Sequence, residues 1–132
     1  MVIDEEPEEP KDELVIVDMK LDSKALYART NPVNDLNGDP CALIVVQVSG
    51  VEDMVFPEAV KTSDYKYTRY QVYVPAGTKR LRYMHPNYLP GEVVFKDYGI
   101  TSLEGKMTYI LTLRAPEKKK KRGNVFERIF GD

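Results

Sequence analysis

Short β-prone runs separated by turn signals recur about every ten residues from Leu14 to Leu113, and this repetition restricts the chain to an all-β architecture. The longest run, "YKYTRYQVYV", alternates strictly. Tyr70, Val72 and Val74 fall on one face, while Tyr65, Tyr67, Arg69, Gln71 and Tyr73 fall on the other. "KRLRYMH" alternates again, with Leu81 and Tyr83 opposed to Arg80 and Arg82. "KMTYILTL" puts Met107, Tyr109, Leu111 and Leu113 on one face, and "LVIVDMKL" does the same for Val15, Val17, Met19 and Leu21. "ALIVVQV" is apolar at nearly every position, as expected of a central strand covered on both sides. "EVVFKDY" reads as a further strand, and "TNPVNDLNGDP", "SGVEDM", "PAGT", "PNYLPG" and "GITSLEG" read as the turns. Such spacing fits an antiparallel sandwich or barrel, and the expected fold is an all-β antiparallel sandwich of about seven strands.

The ends differ from this middle. Residues 4–13 hold seven carboxylates against Lys11 alone, together with Pro7 and Pro10, so residues 1–12 read as an extended acidic tail. Residues 117–132 read as a basic linker, Lys118 to Arg122, followed by a short amphipathic helix. "NVFERIFGD" spaces Val125, Phe126, Ile129 and Phe130 for one helical face, with Asn124 as N-cap and Gly131 as stop. The domain proper spans residues 13–116. No apolar run reaches the ~20 residues of a membrane span. Nor does a basic start followed by an apolar stretch mark a signal peptide, which leaves a processed start and a cytoplasmic start both open.

Few residues suggest chemistry. "DLNGDPC" alternates Asp35, Asn37 and Asp39 like the first ligands of a calcium loop, but Pro40 stands where such a loop bends on glycine and Val46 where it needs a bidentate glutamate. The same letters make a turn, and that reading is preferred. Cys41, the single cysteine, opens the apolar run and reads as a small buried hydrophobe. His85 is the only histidine, so histidine metal clusters and His-based relays have no second member. No phosphate loop, dinucleotide motif or zinc spacing is present. No cofactor is expected. Tyrosines interleaved with Lys66, Arg69, Lys79, Arg80 and Arg82 are ingredients for nucleic-acid binding, yet a formal net charge of −2 argues against it.

"DLNGDPCALIVVQV", with "YQVYVPAGTKRLRYMHPNYLPGEVVFKDYGITSLEGKMTYILTL", resembles an N-terminal β-rich domain of Bacteroidales envelope proteins, found ahead of PEGA-type or formylglycine-generating-enzyme-like domains. The resemblance covers roughly residues 24–115. It implies an immunoglobulin-like or PEGA-like sandwich, exported to the periplasm or cell envelope and without catalytic residues of its own.

The function expected is therefore a non-enzymatic protein-interaction or scaffolding module. Its contact residues would be Tyr65, Tyr67 and Tyr73 on the tyrosine-rich strand and Phe126, Ile129 and Phe130 on the terminal helix, since aromatics combine large contact area with a polar tip. Two alternatives stay open: a carbohydrate-binding module that stacks a glycan on the three tyrosines, and an accessory domain of a larger envelope enzyme. The basic tail also suits peripheral contact with an anionic membrane surface. Glu127 and Asp132 within the helix favour docking on a partner or on this same domain.

Overall fold

The computed structural model describes residues 11–64 and 69–116. Among the described residues, seven strands form: β1 (Val15–Asp22), β2 (Ala42–Gln47), β3 (Lys61–Asp64), β4 (Arg69–Val74), β5 (Arg80–His85), β6 (Tyr88–Val94) and β7 (Thr108–Arg114). One α-helical turn, α1 (Tyr27–Thr30), and one 3-10 turn (Phe95–Tyr98) complete the regular elements among the described residues. The strands make two sheets, one of five strands in the order β1-β7-β2-β4-β3 and one of the two strands β5-β6. The protein is all-β, as the strand texture predicts. The terminal helix expected over residues 124–132 lies outside the described residues.

β2 is central because both its faces are apolar. Ile44 and Val46, fully buried, enter the main core with Val72, Leu111 and Phe95, while Leu43 joins a smaller cluster with Ala28, Cys41 and Tyr73 on the opposite face. The alternation read in β4, β5 and β7 holds. Tyr70, Val72, Val74, Leu81, Tyr83, Tyr109, Leu111 and Leu113 are all buried in the main core.

Four expectations are corrected. The strand pairing is not wholly antiparallel, because β2 pairs in parallel with β7 from Leu43↔Thr108 to Gln47↔Thr112. A parallel pair needs a long crossover, which the intervening strands supply, and strand texture carries no record of it. In β1, the register slips between Ile16 and Asp18, so the inward face passes from Leu14 and Ile16 to Met19. Val17 and Leu21 are instead 51% and 44% exposed. A bulge shifts the two-residue period by one, which no reading of strict alternation foresees. "YLPG" is not turn but the start of β6; the hairpin turns at Pro86 and Asn87. Finally, Phe95–Tyr98 is a 3-10 turn rather than the end of a strand, with Phe95 fully buried and Gly99 closing it at φ 80°.

Tyr70 ties the loop after β2 to the core. Its hydroxyl donates to the Val51 carbonyl at 2.6 Å and accepts from the Met54 N–H at 3.3 Å, and its ring meets Phe56 edge-on at 5.5 Å. A phenolic oxygen buried this deeply needs such partners, since an unmatched one costs about 1–3 kcal/mol.

Candidate functional site at the sheet seam

The residues of "DLNGDPC" face one another rather than a ligand. One Asp35 carboxylate oxygen accepts the N–H groups of Asn37 at 2.9 Å and Asp39 at 3.0 Å. The Asp35 N–H donates to the Asp39 carbonyl at 2.8 Å, and Gly38 adopts φ 86°. This is a side-chain-capped turn. Among the described residues, no group of three or more His, Cys, Asp or Glu side chains gathers as metal ligands would.

Cys41 lies 2% exposed in the small cluster. Burial, and secondarily the charge of Asp35, pushes its thiol up, the opposite of what a nucleophile needs. His85 is occupied on both ring nitrogens: Nδ1 accepts the Asn87 N–H at 3.0 Å, so Nε2 carries the proton and donates to the Glu52 carbonyl at 2.7 Å. It ties the end of β5 to the loop before β3.

Of the expected contact residues, Tyr73 lies within the described residues and is only 4% exposed. Its strand direction is as predicted, but α1 and Val33 close over that face. Burial, followed by Tyr27 and Cys41, pushes its hydroxyl up. Tyr73 therefore does not stand free to meet a partner or a sugar. Tyr65, Tyr67, Phe126, Ile129 and Phe130 lie outside the described residues.

A site the sequence did not announce sits where the two sheets part. Asp12 bridges to Tyr88 in parallel, with the Leu89 N–H donating to the Asp12 carbonyl at 2.9 Å, so Asp12 lies beside β6. Three residues later Val15 pairs with Arg114 in the other sheet. The crossing holds the sheet edges apart and leaves a groove of about 530 Å³ between residues 13–16 and Leu89–Glu92, with Tyr83 at its floor. Leu14, Ile16, Leu89 and Pro90 supply apolar surface. The carboxylates of Glu13 and Glu92, both on exposed residues, stand at the rim. Glu92 also meets Arg80 at 3.3 Å.

Gly91 is essential to this shape. It pairs with Tyr83 across the hairpin, and a Cβ built on it would overlap the Tyr83 ring. The aromatic ring covers the glycine backbone and shields its strand. Burial, with Glu13 and Tyr98 adding to it, pushes the Tyr83 hydroxyl up, so it stays a neutral donor at the groove. A second hollow, about 430 Å³, shares Tyr83, Pro90, Gly91 and Glu92 with the groove and adds Met84 and Arg82. Volumes of this order accommodate a few side chains or a small molecule. The sequence held one signal for the seam. A Pro-Gly pair followed directly by the alternating "EVVF" marks a strand interrupted at an edge as readily as a turn.

Among known proteins, no family model, no curated protein and no solved structure matches the chain. Among the described residues, no helix is long and apolar enough to cross a membrane.

Proposed function

We propose that this chain is a non-enzymatic protein-interaction module of the bacterial cell envelope, an immunoglobulin-like sandwich that receives an extended segment of a protein partner in its seam groove. The observation that carries this reading is the groove itself: an apolar wall, a carboxylate rim, and two strand edges that no described strand covers along the opening. Such edges accept an added chain, with side-chain pockets giving selectivity. Glu13 and Glu92 favour a segment bearing Lys or Arg. The envelope placement rests on the resemblance to the Bacteroidales domain and on no feature of the fold.

The test titrates the isotopically labelled full chain with two peptides of equal length, one alternating Val and Lys, the other Val and Glu. Shifts at Leu14, Leu89 and Gly91 from the lysine peptide alone, abolished by Leu89→Asp, are the expected result. Shifts scattered over the surface, or the same response to both peptides, would sink the reading. Fractionation of source cells checks the compartment separately: recovery in the cytosol removes the envelope placement.

A further inference from the structure

We infer that two copies of this chain pair antiparallel along β1, centred on Met19, and so join their five-stranded sheets edge to edge. The inference goes beyond the seam groove, whose wall at residues 13–16 lies on the far side of the β1 bulge.

β1 closes one side of the five-stranded sheet, with β7 as its one neighbour among the described strands. A strand so placed presents a row of backbone N–H and C=O groups to any chain that approaches. Within residues 17–21, Val17, Asp18, Lys20 and Leu21 are exposed and Met19 alone is buried. Neither Asp18 nor Lys20 has an ion-pair partner among the described residues. Before Val17 the bulge breaks the regular ladder, so residues 17–21 are the stretch open to a straight partner.

The order of side chains in this stretch matches its own reverse. In an antiparallel ladder, opposed residues are hydrogen-bonded to each other or both turned away. A strand that meets its own copy therefore opposes residues an even number apart, about one residue that faces itself. Centred on Asp18, the pairing sets that carboxylate against its twin; centred on Lys20, it sets Lys20 against Lys20 and Asp18 against Asp22. Centred on Met19, it opposes Asp18 to Lys20 twice, by symmetry, and Val17 to Leu21 twice. Opposite charges and apolar pairs directly across two strands stabilise, whereas like charges repel. Registers centred farther out run into the bulge or off the end of the strand.

A charge on an edge strand ordinarily keeps other strands away, because a foreign strand leaves it unmatched. On β1 that same charge selects a second copy, since the copy brings the matching one. β3, at the other edge of the sheet, has no such match. Its one basic and one acidic residue, Lys61 and Asp64, stand three apart, so an antiparallel copy cannot oppose them. The matched stretch on β1 is short, so the dimer is weak and forms in proportion to concentration.

The experiment is sedimentation velocity on the full chain over a concentration series reaching roughly 1 mM. The unaltered chain is expected to shift from monomer towards dimer along the series. Asp18→Lys or Lys20→Asp should each weaken association roughly tenfold, because each sets like charges across the axis twice. An equal mixture of the two variants should restore it, since every Lys then faces an Asp. Both side chains are exposed, so neither change touches the core. A chain that stays monomeric throughout the series overturns the inference, whatever covers the edge. Dimers that persist in both single variants overturn it too, by placing the interface elsewhere. A mixture that fails to recover overturns the register centred on Met19, and with it the inference.

Discussion

In the five-stranded sheet, the middle strand buries Ile44 and Val46 on one face and Leu43 on the other, whereas the β5–β6 hairpin buries one face and turns Arg80, Arg82 and Met84 to solvent. The larger sheet is fixed by volume. The hairpin packs Leu81, Tyr83 and Val93 into the same core and is tied in addition by polar contacts with the loop before β3. Val55 and Met84 exchange two backbone hydrogen bonds of 2.9 Å, His85 donates to Glu52, and Arg82 grips Glu58. Both nitrogens of that grip are short, the Arg82 N–H at 2.8 Å and Nε at 2.6 Å, one to each carboxylate oxygen. The larger sheet is thus held by packing on both faces of its middle strand, the hairpin by packing on one face plus attachment points, so equal changes in the two should have unequal effects.

The comparison breaks first if core truncation proves mild. Ile44→Ala should lower unfolding free energy by about 2–5 kcal/mol, read by denaturant titration, because the close-packed site between β4 and β7 cannot collapse onto the void. Gly91→Ala comes next. The added methyl meets the Tyr83 ring, and the expected loss is about 1–3 kcal/mol from overpacking. Hydrogen exchange should quicken in β5 and β6 while β2 and β7 stay protected; uniform quickening would mean that the two layers are not separable. Tyr70→Phe should cost about 1–3 kcal/mol, since it strips partners from the Val51 carbonyl and the Met54 N–H.

The Glu58–Arg82 grip makes a pH prediction. Partial burial alone would push the Glu58 carboxyl up, but two hydrogen bonds from Arg82 and its charge outweigh this and hold it below its ordinary 4.5. A carboxyl lowered on folding stabilises above its unfolded value and loses that contribution as pH falls through its folded value. Stability should therefore drop below about pH 4.5 in the native chain, with a shallower drop in Glu58→Gln; identical acid profiles would show that the grip contributes nothing. With Arg82 half-exposed, the difference should stay at about 1 kcal/mol or less. The smallest effect is at Thr108, whose buried hydroxyl oxygen has no partner among the described residues. Thr108→Val should be neutral or stabilise by up to about 1 kcal/mol, and a clear loss would reveal a hidden partner.

Those two layers also mark how far the sequence could be read. Strands that feed the core by strict alternation were legible: Tyr70, Val72 and Val74, Leu81 and Tyr83, and Tyr109 to Leu113 all point as their spacing requires. β3, "KTSD", was not, because a short polar edge strand has no apolar face to betray it. The bulge at Val17 and the hairpin irregularity beside Met84 were hidden for a related reason, since each arises from pairing with a distant partner. The seam groove shares that origin: residues 13–16 and Leu89–Glu92 lie far apart along the chain and meet only through the crossing at Asp12. Tyr73 shows the converse failure, a correctly oriented side chain whose cover could not be foreseen from its own strand.

The parallel pairing of β2 with β7 has a consequence for the order of assembly. β2 finds one neighbour, β4, after a modest length of chain, but its other neighbour follows every other described strand. Until β7 arrives, the most apolar strand in the molecule is half-clothed, with an open slot shaped for a strand. Contacts so distant in sequence slow folding, and an unfilled slot invites pairing with whatever strand is near. The last described strand is therefore the one that seals β2 against aggregation.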